Sequence, residues 1–326
     1  MLLFALLLTF GGPSSAIGAN SSAGKNRKVS ASSGMGQFLK KWMDAAHAEI
    51  SKSILNTARR FDSFFGDERI HEEQQSSQIK VTTTVELNEK GQTDFSFPLS
   101  TNLALPRLEH KVHLFVDSLL KEGQTADIPV EDKTKGTNVK LGLRYFLLQK
   151  VREWVSLDSG VRLSGANLAL SSLEPFASLR IRGTTDFEPW ALRLTQFGNW
   201  FKEDGFSAST RADLERYFGR RTFFRVTGYA QWLEYEPGVQ WIQSLFLRRQ
   251  FSDKRALGVE LSVAGQTSAP AAVAEYAANL TYRRRLYKDW VFGAVEPGLR
   301  FLRADNFALA PVIIVKLEIQ FGRSSE

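Results

Sequence analysis

Ile313-Ile314-Val315-Lys316-Leu317-Glu318-Ile319-Gln320-Phe321 is the stretch whose reading decides the fold. Ile313, Val315, Leu317, Ile319 and Phe321 share one parity, and Lys316, Glu318 and Gln320 share the other. Side chains alternate across a strand with period two, so the first set lines one face and the second set the opposite face. A strand that is apolar outside, polar inside and closed by an aromatic is the repeating unit of a transmembrane β-barrel. The same alternation recurs back to Ile79.

Composition agrees with a barrel better than with a helical membrane protein. The chain has 326 residues, 43% of them hydrophobic, and a negative mean hydropathy of −0.22. It contains no internal apolar run of about 18 residues or more, the length a spanning helix needs. A barrel wall needs an apolar residue only at every second position, which hides it from hydropathy averages. Cysteine is absent, so the chain has no disulfide, no thiolate metal site and no lipidated cysteine.

The N-terminal region reads differently. Met1 to Phe10 is a short apolar run followed by Gly11-Gly12-Pro13 and by small residues up to Ala19, the layout of a secretory signal over 1–19. No Lys or Arg precedes the run. Residues 20–34, rich in Ser, Gly and Ala, read as a flexible linker. In 35–77, Phe38, Trp42, Ala46, Ile50, Ile54, Ala58, Phe61 and Phe65 recur at steps of three and four. That spacing predicts an amphipathic helix over 37–65, docked under or into a barrel, lying on a membrane, or binding a periplasmic or outer-membrane protein partner.

From residue 78 to 322 about fourteen strand-like segments follow, with twelve as the alternative if two weak ones fuse or drop out. Short punctuated turns at Pro106-Arg107, Gln149-Lys150, Glu188-Pro189, Gly219-Arg220 and Ser252-Asp253-Lys254 fall on one side. The longest connection, Lys121 to Gly136, falls on the other. Short periplasmic turns and longer external loops are the asymmetry of bacterial barrels, which puts both termini in the periplasm. Residues 323–326 form a short tail. The outward stripes include Val139, Leu141, Leu143, Tyr145 and Leu147, with Leu257, Val259, Leu261 and Val263 as another. Trp190, Trp232, Trp241, Tyr276, Tyr282 and Trp290 lie towards strand ends, as interfacial girdles do. The opposite face carries too many charges for a packed soluble core, so it reads as a wet lumen.

Arg60-Phe61-Asp62-Ser63-Phe64-Phe65, Leu105-Pro106-Arg107-Leu108-Glu109, and Asp289-Trp290-Val291-Phe292 leading to Glu296-Pro297-Gly298 resemble a group of uncharacterised, porin-like proteobacterial outer-membrane barrel proteins. The resemblance covers most of the chain after the linker. It implies residence among outer-membrane lipids of a Gram-negative bacterium and insertion by the barrel-assembly machinery. Ile313, Val315, Leu317, Ile319 and Phe321 would then form the recognition strand. Gly322 to Glu326 follow the aromatic, whereas the usual pattern ends on it. The resemblance implies no established activity, so function has to be read from the lumen.

Enzymatic chemistry has little support in the residues. The histidines are His47, His71, His110 and His113; parity turns His110 to lipid and His113, with Asp117, to the lumen. A His at the lipid face could serve a lipid-modifying enzyme, a minor reading. No Gly-x-Ser-x-Gly elbow, His-Glu-x-x-His motif or phosphate-cradling glycine loop is present, so no catalytic residue, metal or cofactor is assigned. Much of the net charge of +7 sits on the polar strand face and in the N-terminal segment, which argues against a nucleic-acid reading. Arg180, Arg182, Arg193, Arg211, Arg225 and Arg248 all have lumen parity on five consecutive segments, with Asp213, Glu215 and Glu260 beside them. The expectation is a band on one wall: either a salt-bridged ladder that stiffens it, or a positive constriction. The latter makes the chain a passive diffusion channel for small hydrophilic solutes with weak anion preference. A non-conducting structural or accessory barrel, plugged or docked by the N-terminal helix, is the alternative.

Overall fold

The structure is a computed structural model that describes residues 78–104, 111–119, 138–150, 152–163, 173–268, 273–287 and 290–321. All belong to one compact unit, Ser53–Glu326. The expected signal, linker, helix and tail, His47, His71 and His110, the Pro106-Arg107 turn and the 121–136 loop lie outside the described residues.

Fourteen antiparallel strands form one closed sheet. They are β1 (Gln78–Asn88), β2 (Thr93–Ser96 and Leu99–Ala104), β3 (Val112–Leu119), β4 (Asn138–Gln149), β5 (Glu153–Leu163), β6 (Leu173–Phe187) and β7 (Trp190–Phe201). β8 (Gly205–Phe218), β9 (Thr222–Leu233), β10 (Val239–Ser252), β11 (Arg255–Gln266), β12 (Val273–Tyr287), β13 (Val291–Leu302) and β14 (Leu309–Phe321) complete the set. Each strand pairs with its sequence neighbours, and β14 returns to β1 from Ile79↔Phe321 to Asn88↔Val312. The interruption of β2 at Phe97-Pro98 keeps register, with Ser96 opposite Thr84 and Leu99 opposite Val81. Proline has no N–H to give the ladder, although the Pro98 carbonyl still accepts from Thr82 at 2.9 Å.

The parity read from the sequence holds around the ring. Leu141, Leu143, Tyr145 and Leu147 of β4, Val259 and Leu261 of β11, and Ile313, Val315 and Leu317 of β14 are exposed on the outside. Their even-numbered or odd-numbered alternates face inward and are mostly buried, among them Arg144, Phe146, Glu260 and Glu318. Apolar surface of this extent on the outside is stable only against hydrocarbon. Aromatics mark both rims: Trp200, Phe206, Trp232 and Tyr276 at one end, Phe218 and Phe251 at the other. At the second rim the Arg216 guanidinium on the outer face sits 5.3 Å from the Trp190 ring and 4.6 Å from the Phe218 ring. An arginine stem laid over aromatics with its head at the interface is how such side chains anchor a wall in a bilayer. A strand of 12 residues, such as β9, runs about 40 Å, or roughly 30 Å along an axis from which it tilts by about 40°, enough to cross the hydrocarbon.

The turns after β4, β6, β8, β10 and β12 are two or three residues long and lie at one end together with the start of β1 and the end of β14. Connections at the other end reach from the 202–204 turn to the 120–137 segment. Gly219, with φ of +67°, makes the tight β8–β9 turn possible, because a β-carbon is disfavoured there. One close approach inside the sheet also demands glycine: Gly142 and Gly160 face each other across β4 and β5. A β-carbon on Gly160 would meet the Leu141 carbonyl oxygen at 2.1 Å and the Gly142 Cα at 2.5 Å.

Two expectations follow from this architecture. A closed barrel leaves no unpaired edge and satisfies its backbone internally, so unboiled protein in detergent should migrate differently on a gel from boiled protein. Identical mobility, with recovery in the soluble fraction, would remove the barrel. Gly160→Val should lower the folded, heat-modifiable fraction sharply, because the obstruction is backbone and overpacking of this kind costs about 1–3 kcal/mol or more. Gly198→Val on the outer face of β7, where a β-carbon meets nothing within 4 Å, should leave that fraction unchanged. Equal folded yields for the two variants would contradict the close approach.

Candidate functional site

The site is the inner wall over β5 to β11. Same-face residues on neighbouring strands line up in rows across the sheet, and those rows locate the arginines. In the first, Ser156, Arg180, Phe197 and Ser209 stand side by side. In the second, Trp154, Arg182, Thr195, Arg211, Tyr229 and Ile242 do. Arg193, Asp213, Thr227 and Ser244 make the third, and Glu215, Arg225, Phe246 and Glu260 the fourth. Tyr217, Phe223, Arg248 and Gly258 make the fifth. The six arginines thus share one wall, as parity indicates, but run diagonally over five rows. Rows perpendicular to strands that tilt by about 40° are themselves inclined to the barrel axis, so a diagonal across rows is compatible with a band on one wall.

Charge pairing in the wall centres on Asp213, which is 0% exposed. It accepts from Arg211 Nε at 2.8 Å and from Thr227 Oγ1 at 2.6 Å, with Arg225 Nε 4.0 Å away. Arg193 lies 3.8 Å from Glu215. Phe246 separates Arg225 from Glu260 along their row, and the Arg225 and Arg248 guanidiniums lie 5.3 and 4.1 Å from its ring. Arg182 donates from Nε to Thr195 Oγ1 at 3.3 Å. The wall is therefore a ladder in which guanidiniums alternate with carboxylates and aromatic rings. Among the described residues of these rows, six arginines against Asp213, Glu215 and Glu260 give a formal +3 (six minus three).

Sequence reasoning missed the paired charges on the rest of the wall. Arg144 grips Asp158 through two bonds of 2.8 Å, both residues buried. Arg283 reaches from β12 across β13 to Glu318 on β14 with bonds of 2.7 and 3.2 Å. Arg162 bonds both Glu174 and Asp204, and its guanidinium lies 4.2 Å from the Phe201 ring. Arg300 pairs with Glu275 at 2.7 Å and Lys316 with Glu296 at 2.7 Å. Opposite charges of equal parity on adjacent strands were the available signal for Arg144 with Asp158. No such signal exists for Arg283 with Glu318, which lie two strands apart. His113 and Phe115, also inward, pack edge-on against Phe146 and Phe176. Among the described residues no group of three or more His, Cys, Asp or Glu side chains could hold a metal ion.

A closed antiparallel barrel with an apolar, aromatic-rimmed exterior and a charged interior has the architecture of an outer-membrane β-barrel. No protein-family model matches the chain, and no curated protein matches it. Solved structures similar to it include a loop-deletion form of OmpT, an outer membrane protein of Vibrio cholerae, at 12% identity and a TM-score of 0.42 over 75% of this chain and 98% of that one. OccK11 of Pseudomonas aeruginosa shows 9% identity and a TM-score of 0.43 over 75% and 95% of the two chains. CdiB from Acinetobacter baumannii shows 7% identity and a TM-score of 0.48 over 76% of this chain and 60% of that one. Likenesses this distant attach no activity to the chain.

Proposed function

We propose that the chain is a passive diffusion channel for small hydrophilic solutes, with a weak preference for anions, in the outer membrane of a Gram-negative bacterium. The observation that carries this reading is the inward arginine diagonal, whose formal charge exceeds that of its carboxylates by three. Rings or walls of Arg select for anions by charge in other pores. In this reading the short-turn end and both termini face the periplasm, the surrounding partners are membrane lipids, and the assembly machinery receives β14. No catalytic step is assigned to the wall.

Liposome swelling tests it directly. Vesicles containing the refolded full chain should swell faster in gluconate than in glucosamine at equal osmolarity, since the first is anionic and the second cationic at neutral pH. Equal rates, or rates no faster than protein-free vesicles, would remove the reading. A second reading, a non-conducting structural or accessory barrel, is favoured by burial: Arg225 is 1% and Phe292 0% exposed. Groups so enclosed do not border an open water column at their own level. Swelling indistinguishable from empty vesicles is the result that selects it.

A further inference from the structure

We infer that Arg249, Arg255 and Arg284 form a docking site on the outer face of the wall for a phospholipid of net negative charge, held by its phosphodiester at the short-turn rim. The inference goes beyond the channel reading: it rests on the proposed orientation, with that rim towards the periplasm, and does not need the lumen to conduct.

The three side chains share one face. Arg249 on β10 stands opposite Leu257 on β11, and Leu257 stands opposite Tyr282 on β12. Arg255, two residues before Leu257, stands opposite Arg284, two residues after Tyr282. Residues two apart on a strand share a face. The arginines therefore lie on the same side as the exposed Leu245, Leu247, Val259, Leu261 and Leu280, and all three are exposed themselves. They close those apolar rows at the short-turn end: Arg255 opens β11 directly after its turn, and Arg284 comes three residues before β12 ends at Tyr287. One same-face step along a tilted strand is about 5 Å of depth, which carries the guanidiniums from the Leu257–Tyr282 row to headgroup level. Phe218, Phe251 and Tyr287 are exposed at the same end. A cation on the lipid face is expensive at the midplane of a bilayer and nearly free at this depth.

Charge carries the identity of the occupant. Residues directly opposed in an antiparallel pair have Cβ atoms about 4.5–5.5 Å apart, and diagonal neighbours such as Arg249 and Arg255 are about 7–8 Å apart. Like charges directly opposed, as Arg255 and Arg284 are, destabilise a sheet. Among the described residues none of the three makes an ion pair, and the Arg249 guanidinium lies 5.8 Å from the Phe251 ring. The inner wall is built otherwise, with Arg144 on Asp158 and Arg283 on Glu318. Guanidiniums only donate, and a phosphodiester only accepts, taking two parallel bonds from one guanidinium and offsetting the repulsion between two. The apolar rows above favour a lipid over a soluble anion, since acyl chains fill the surface beside Val259, Leu261 and Leu280 while the phosphate meets the arginines.

Native mass spectrometry of the refolded full chain in detergent, offered equimolar phosphatidylglycerol and phosphatidylcholine, tests the site. The parent should retain phosphatidylglycerol over phosphatidylcholine by about tenfold or more, since each basic side chain at an anionic lipid surface adds about fivefold. Arg249→Gln, Arg255→Gln and Arg284→Gln together should bring the two lipids level. Lys90→Gln, Lys202→Gln and Arg303→Gln remove the same charge from exposed positions at the opposite rim and should keep the parent's preference. If the first triple variant fails to give the heat-modifiable form, Arg284→Gln alone is measured, with a loss of about fivefold expected. No preference in the parent, a preference kept by the first variant, or an equal loss in both triple variants would overturn the site; the last would assign retention to diffuse charge. Lipopolysaccharide retained in place of phosphatidylglycerol would set this rim in the outer leaflet and overturn the assignment too. Phosphatidylglycerol held by the parent and lost by the first variant would establish the site even where a planar bilayer stays silent, a result that removes the channel reading alone.

Discussion

Asp213→Asn should destabilise the refolded barrel by about 3 kcal/mol or more, the usual cost of removing one partner from a buried ion pair. Asp213 is enclosed and accepts from Arg211 and Thr227, with Arg225 behind. Asparagine keeps one acceptor oxygen but cancels the charge that offsets two buried guanidiniums. Thr227→Val, which removes one donor to the same carboxylate, should cost less, about 1.5–3 kcal/mol. Urea unfolding followed by tryptophan fluorescence in lipid vesicles measures both. An unchanged midpoint for Asp213→Asn would mean that the ladder contributes nothing to holding the wall. If the protein conducts, the same substitution should also raise anion preference, because the patch gains one positive charge.

The second large effect is on selectivity. Arg180, Arg193 and Arg248 are the half-buried members of the diagonal, whereas Arg182, Arg211 and Arg225 are enclosed. Substituting the half-buried three by Glu changes the formal charge of the patch by −6, from +3 to −3. The reversal potential in a salt gradient should then change sign relative to the parent. Of the three, only Arg193 stands beside Asp213 and Glu215, so the heat-modifiable form of the triple variant is confirmed before the potential is read. A potential unmoved by the triple substitution, in protein that still shows the heat-modifiable form, would take these arginines out of the permeation path.

Strand positions and faces were legible from sequence because a barrel wall has a strict period of two and no packed second layer to obscure it. Leu141, Leu143, Tyr145 and Leu147 reveal β4 as plainly as Ile313 to Phe321 reveal β14. Fourteen rather than twelve strands is a finding of the structure, since short segments such as Thr93–Ser96 and Leu99–Ala104 are joined across Pro98 only by pairing with β1.

Parity gives a residue's face but not its neighbours. Parity placed the six arginines in a band on one wall, and pairing resolves that band into five rows crossed diagonally. The Arg283–Glu318 contact spans an intervening strand, which no adjacent-strand rule anticipates.

The most direct test of the channel account is the zero-current potential of the refolded full chain in a planar bilayer across a tenfold potassium chloride gradient. Discrete conductance steps, with a reversal potential displaced modestly towards the chloride equilibrium value, are the predicted result. A potential displaced towards the potassium value, or a bilayer that stays electrically silent while the same preparation shows the heat-modifiable form, would contradict it.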